Sequence, residues 1–207
     1  MHWDSGSAGK LMERKMLTLR ETRSPAGNVI GNGPVKAFVP NIAPQASADD
    51  FREAMSRVAS SVSIICTDGP HGIAGFTCSA VCSVTDEPPT VMVCVNRKSA
   101  ANAVIKANGV LCVSSLGADQ VELSQTFAGV GRVPMNQRFT GPNWAVLATG
   151  SPYCKTSRVA LDCRVADIRE VGTHSVILAE VLATAHAGID EPLIYHSRNY
   201  ATLRHMA

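Results

Sequence analysis

GIAGFTCSAVCSVTDEPPTVMVCVN, residues 72–96, is the stretch whose reading decides the fold. It contains two strand-like runs separated by Asp86-Glu87-Pro88-Pro89. Proline has no N–H to give a central ladder, so the pair marks a connection. Upstream, SVSIICTDG (61–69) alternates and ends in an Asp-Gly turn. Before it, Ser47 or Asp49 caps a helix with Asp50 and Glu53 in its first turn and Phe51, Ala54, Met55 and Val58 at helical spacing. Downstream, the pattern predicts a helix over Ser99–Ala107, a strand over Gly109–Leu116 and a helix over Ala118–Phe127. ALDCRVADIREV and THSVILAEVLATAHAG are long alternating runs joined around Val171-Gly172-Thr173, a strong hairpin signal. A short strand, Leu193–His196, leads into Ser197–Leu203. Strands dominate without helices of crossover length between them. The expectation is therefore mainly β, a closed antiparallel sheet or barrel with peripheral helices, rather than a doubly wound fold.

Residues 1–46 form a separate stretch of Gly, Pro, Asn and charge, with a helical turn or two around Lys10–Arg20. Two readings of this extension stand, a flexible tail and an arm packed on a partner subunit. The domain proper runs from 47 to 207. Residues 128–157 read as one long Gly-, Pro- and Asn-rich loop, and loops of that length are often functional.

The whole chain of 207 residues is 45% hydrophobic and 17% charged, which excludes wholesale disorder. No apolar run reaches the ~20 residues of a membrane span, and the N-terminus has no secretory h-region. The expectation is a soluble cytoplasmic protein with no membrane partner. Residues 1–46 hold six basic and three acidic side chains, leaving thirteen and fourteen in the rest. A near-neutral, aromatic-poor domain argues against nucleic-acid binding.

Seven cysteines, an odd number, argue against a disulfide framework. Cys66, Cys82, Cys94, Cys112 and Cys163 lie in apolar β-branched runs and read as small buried hydrophobes. Cys78 and Cys82 lack the companions that zinc spacing requires, so no metal site is expected.

No phosphate-binding glycine fingerprint and no nucleophile elbow is present. Three other features carry chemistry. Gly75–Thr85 reads as a strand rich in small hydroxyls, whose alternation puts Thr77, Ser79, Val81, Ser83 and Thr85 on one face. That face is either ligand-facing or solvent-facing. Val95-Asn96-Arg97-Lys98-Ser99-Ala100 leaves a strand and opens a helix. Ser99 is its N-cap, and the motif is either an ordinary capped helix or an anion site. His174 stands at the mouth of the long hairpin, where a lone histidine is usually a turn residue.

Phe51 to about Leu203 resembles the flavin reductase family, the NAD(P)H:flavin oxidoreductases that serve two-component monooxygenases. The matching pieces are FREAMSRVASSVSIICTDG, GFTCSAVCSVTDEPPTVMVCVNRKS, LCVSSL, LSQTFAG, RF, the GTH hairpin and YHSRNYATL. Within it, SAVCSVTD and VGTH are most similar to the reductases of pyrimidine-ring utilisation. The resemblance implies a homodimeric split β-barrel that binds FMN or FAD, takes hydride from NADH or NADPH, and supplies reduced flavin to a monooxygenase. It implies that Thr77, Cys78, Ser79 and Ala80, with Cys82 and Ser83, line the isoalloxazine. Asn96, Arg97, Ser99 and Ala100 would hold the ribityl phosphate, Val95 would also bind the cofactor, and Phe127 would border the flavin. His174, in the catalytic position, would meet the nicotinamide nucleotide with Arg198, Asn199 and Tyr200. Cys78 departs from the alanine of many relatives. The rival readings are a non-catalytic flavin-binding protein and a flavoenzyme of the same barrel with its own substrate.

Overall fold

The computed structural model describes residues 46–188 and 191–203. The turn expected around Lys10–Arg20, and all of the extension except Ala46, lie outside them. Helix α1 (Ala48–Ser56) is capped by Ser47, whose hydroxyl accepts the Asp50 N–H at 3.0 Å. Such a cap is worth about 1 kcal/mol. The helix buries none of its residues, and Phe51 stays 61% exposed. Then follow β1 (Ser60–Ser61), β2 (Ser63–Thr67), β3 (Ala74–Cys78), β4 (Val81–Asp86), β5 (Pro89–Asn96), α2 (Ala100–Asn108), β6 (Val110–Ser115) and α3 (Val121–Phe127). After two 3-10 turns come β7 (Trp144–Val146), β8 (Pro152–Cys154), β9 (Val159–Val171), β10 (His174–His186), β11 (Ile194–His196) and β12 (Asn199–Ala201).

Seven strands form one antiparallel sheet in the order β3-β2-β6-β9-β10-β5-β4. Its two edge strands, β3 and β4, follow each other in the chain across only Ser79 and Ala80. The sheet must therefore roll until its ends meet at that corner, yet β3 and β4 do not pair. The result is a barrel split along one seam. The corner is pinned to β5 by a bond from the Cys94 N–H to the Ala80 carbonyl at 3.1 Å.

This geometry corrects the reading of Gly75–Thr85 as one strand with one hydroxyl face. Thr77 and Ser83 belong to strands at opposite edges of the sheet, because the chain turns at Ser79-Ala80, and a bulge beyond Ser83 disturbs β4 again. The 128–157 loop likewise contains structure, the β7–β8 pair and the two turns.

Alternation also fails at β2, where all five residues are buried. Ile65 faces the barrel interior with Val93, Val95, Ile105, Leu111 and Ile177. Ile64 and Cys66 face a second core with Val62, Leu116, Phe127 and Leu193. Each fully buried aliphatic side chain contributes about 1.5–3 kcal/mol, so a strand covered on both sides needs no polar face. The second core fastens the three-stranded sheet β1-β11-β12 to the barrel through bonds from Val62 N to Leu193 O (2.9 Å) and Leu193 N to Leu116 O (3.0 Å).

All seven cysteines are free. Cys66, Cys112 and Cys163 are buried as expected, but Cys82 is exposed on β4 and Cys94 is half-buried, because both lie on the outer side of the sheet. Among the described residues no helix is long and apolar enough to cross a membrane.

Candidate functional site

The end of β3 turns its small side chains toward α3 and the β11–β12 hairpin, and a cavity of about 220 Å3 opens between them. Thr77 Oγ1 donates to the Ser124 carbonyl at 2.6 Å, and Ser124 Oγ lies 3.0 Å from the Tyr200 hydroxyl. Tyr200 packs edge-to-face on Tyr195 with 5.6 Å between ring centres. Cys78 and Ser79 complete this wall. Burial pushes the Cys78 thiol up to about 11, so it stays protonated at neutral pH. Its sulfur accepts the Ala80 N–H at 3.3 Å and its S–H donates to the Cys94 carbonyl at 3.8 Å, which fixes the corner. Everything on this wall is neutral.

A second group of side chains gathers where β5 ends. His174 opens β10 directly opposite Asn96. The Arg97 N–H donates to the Thr173 carbonyl at 2.9 Å, and Arg97 Nη1 reaches the Gly172 carbonyl at 3.4 Å. Arg97, Lys98, Gly172 and Thr173 line a cavity of about 340 Å3. Asn96 Oδ1 accepts the Lys98 N–H at 2.9 Å, which stiffens the turn. Ser99 takes the extended N-cap conformation of α2, but its hydroxyl makes no capping bond. The first N–H groups of a helix have no partner within it, so they join two cations on this rim.

Glu170 organises the rim. It accepts from Lys106 Nζ at 2.6 Å and from Ser175 Oγ at 3.0 Å, and pairs with Arg97 Nε at 3.2 Å. The Lys106 ammonium, above all, holds its carboxyl below the usual carboxylate range. Asn102, buried in α2, donates to Ser175 Oγ at 2.9 Å and extends the network. Lys98 makes no ion pair among the described residues.

The two groups are linked by β5. The Cys78–Ala80 corner packs on Cys94, two residues before Asn96 and hence about 7 Å along the strand. Wall and rim could hold the ring and the phosphate of one elongated ligand.

Several expected residues fall elsewhere. Val95 is fully buried in the barrel, because β5 alternates and Asn96 takes the outward position. Cys82 and Ser83 are exposed on edge strand β4. Phe127 is 2% exposed and packs against Phe139 and Trp144, behind the α3 face that lines the cavity. Arg198 pairs with Glu53 at 2.8 Å, and Asn199 Nδ2 donates to the Ser197 carbonyl within its own turn. Tyr200 joins the Thr77 wall, whereas His174 stands on the seven-stranded sheet at the charged rim. Sequence reasoning missed Ser124, Tyr195 and Glu170. Ser124 and Tyr195 sit inside the quoted LSQTFAG and YHSRNYATL, but only helix phase and strand register turn them to the cavity. Nothing in sequence spacing relates Glu170 to Lys106.

The chain is similar to two proteins named FMN reductase (NADH) RutF. The one from Ancylobacter novellus is 49% identical over 158 residues, covering 76% of this chain and 86% of the relative. The one from Stutzerimonas stutzeri is 47% identical over 152 residues, covering 73% and 86%. Among solved structures, BorF, the flavin reductase component of a bacterial two-component tryptophan halogenase, matches with a TM-score of 0.72 and 25% identity. It covers 77% of this chain and all of that one. Nitrilotriacetate monooxygenase component B from Mycobacterium thermoresistibile matches with a TM-score of 0.68 and 26% identity, covering 75% and 86%. The flavin reductase like domain spans residues 55–204, from inside α1 to just past the hairpin that carries Tyr200. A split antiparallel barrel, a neutral wall and a cationic rim thus coincide with a match across most of the chain, and the protein belongs to the flavin reductase-like family.

Proposed function

We propose that this protein is an NADH-dependent FMN reductase that supplies reduced flavin to a separate monooxygenase. The single observation that carries the reading is the continuity of a hydroxyl-lined wall with a cationic rim along β5. The names of the curated relatives favour FMN over FAD and NADH over NADPH. Residues 47–207 form the catalytic domain and residues 1–46 an extension.

The nicotinamide supplies a hydride and the flavin ring accepts it. The chain's task is to hold the two rings at reacting distance and to hydrogen-bond the charge that develops. Thr77, Ser79 and the Ser79-Ala80 corner face the ring. Arg97, Lys98 and the α2 N-terminus hold the phosphate, with Asn96 setting the turn that aims them. His174 meets the nicotinamide nucleotide from the same rim. Titrating groups on the wall are unnecessary, because hydride transfer needs no general base from the protein.

A second copy of the chain completes the site. The wall cavity, about 220 Å3, falls below the ~300–1,000 Å3 of usual ligand pockets. Met92, Cys94, Val176 and Leu178 alternate with core residues and point half-exposed from the outer side of β5 and β10. Leu182 stays 49% exposed on β10. An apolar sheet face of this kind marks an interface, and a homodimer covers it. Seven free thiols and the NADH requirement suit the cytoplasm.

Mixing purified protein with NADH and FMN and following the nicotinamide absorbance tests the reading. Oxidation no faster than without protein, with NADH or NADPH, refutes it. His174→Ala is expected to raise the KM for NADH while FMN affinity changes little. A large loss of FMN affinity would put His174 in the flavin phosphate site.

A further inference from the structure

Arg97 faces the rim cavity with most of its guanidinium already committed. Its Nε pairs with Glu170 at 3.2 Å, and its Nη1 donates to the Gly172 carbonyl at 3.4 Å. Among the described residues, Nη2 alone has no partner. Arginine grips an oxyanion at two points along one of two edges, Nε with Nη2 or Nη1 with Nη2. Here each edge is half occupied. A phosphate entering the cavity lined by Arg97, Lys98, Gly172 and Thr173 therefore meets a single free guanidinium nitrogen. A two-point grip requires it to displace either the Gly172 carbonyl, which is neutral, or the Glu170 carboxylate, which also repels it.

Glu170 does not simply swing aside. It stands directly opposite Ser175 across the β9–β10 hairpin. Ser175 Oγ donates to it at 3.0 Å, and Lys106 Nζ donates at 2.6 Å. Ser175 is held in turn by the buried Asn102 amide at 2.9 Å. Residues of β10 and α2 thus clamp the carboxylate beside Arg97. An acidic group fixed this firmly among Arg97, Lys98 and Lys106 weakens the very rim that attracts a phosphate.

The geometry points to Glu170 as an affinity-setting residue, which competes with the flavin phosphate for Arg97 and so keeps the flavin exchangeable. This rests on the reductase reading above, in which reduced flavin must leave for another enzyme. A site that retained its flavin would gain from a guanidinium free on both edges. One that handles flavin as a substrate gains from a guanidinium already shared. Glu170 acts through Arg97 and takes no part in hydride transfer.

Fluorescence titration of the full chain with FMN, and with riboflavin, which lacks the phosphate, tests this. Glu170→Gln keeps an oxygen that accepts from Lys106 and Ser175, so it removes the charge and spares the clamp. The Kd for FMN is expected to fall about two- to fivefold, the weight of one partly exposed ion pair. The FMN dissociation rate falls by a similar factor, and the Kd for riboflavin stays the same. Glu170→Ala shifts FMN binding in the same direction. In an Arg97→Ala background, Glu170→Gln changes neither affinity. Unchanged or weaker FMN binding in both Glu170 variants overturns the inference and makes Glu170 a support for Arg97. Tightening that riboflavin shares, or that persists in Arg97→Ala, also overturns it, in favour of the rim's overall charge. Each of these results leaves the reductase reading standing. Wild-type protein that binds neither flavin overturns both.

Discussion

The Thr77 wall and the Arg97 rim lie within a few residues of each other along β5, yet they are built on opposite electrostatic plans. The wall joins Thr77, Ser124 and Tyr200 through neutral hydrogen bonds, and its thiol is kept protonated by burial. The rim is a cluster of ions, with Glu170 shared between Lys106, Ser175 and Arg97. The difference teaches how the site divides its labour. Neutral donors beside a ring respond to charge that appears during reaction, and fixed cations attract charge that is already there.

Arg97→Ala should break the contrast most. Removing a charge-assisted hydrogen bond costs roughly 1.5–3 kcal/mol, so the KM for FMN should rise about 10- to 150-fold relative to that for riboflavin. Equal effects on the two flavins would show that Arg97 does not read the phosphate.

Gly75→Ala attacks the wall from behind. A Cβ at Gly75 would stand 2.8 Å from Phe127 Cε1 and 3.0 Å from Phe139 Cζ, inside a packed aromatic cluster. Overpacking of this kind costs about 1–3 kcal/mol, visible as a lower thermal midpoint. An unchanged midpoint would mean that the aromatic cluster yields at no cost.

Tyr200→Phe deletes one neutral hydrogen bond, worth about 0.5–1.5 kcal/mol. The kcat/KM for FMN should fall about two- to tenfold, with little dependence on salt. A strong salt dependence would assign Tyr200 to the rim.

The smallest effect should come from acid. The folded-state pKa of Glu170 is depressed, chiefly by Lys106, below its ordinary 4.5. Its stabilising contribution is therefore present above that value and is lost as pH falls through the depressed one. Glu170→Gln should flatten the decline of the thermal midpoint below about pH 4.5. A parallel decline in both proteins would show the cluster to be neutral for stability.

Much of this was legible beforehand. Pro88-Pro89, the Val171-Gly172-Thr173 turn and the Ser47 cap fall where their chemistry demands, because each acts through its immediate neighbours. The NRKS turn at 96–99 was legible for the same reason. Gly75–Thr85 was not: a two-residue corner separates Thr77 from Ser83, and alternation carries no information about where a strand stops. The apolar neighbours of Cys82 and Cys94 point to core positions, but burial depends on which side of the sheet is covered.

Local order, the succession of strands and turns, and the family signature were thus set by the sequence alone, since hydrogen-bonding habits and side-chain periodicity act over a few residues. Only the tertiary structure decided that β3 and β4 close the barrel at Ser79-Ala80. It alone brought Ser124 and Tyr200 to Thr77 and joined Glu170 to Lys106. Those contacts span between 47 and 76 positions of chain for the wall and 64 for the ion pair. At such separations the partner is chosen by how the whole sheet rolls and packs, a property that no short window contains.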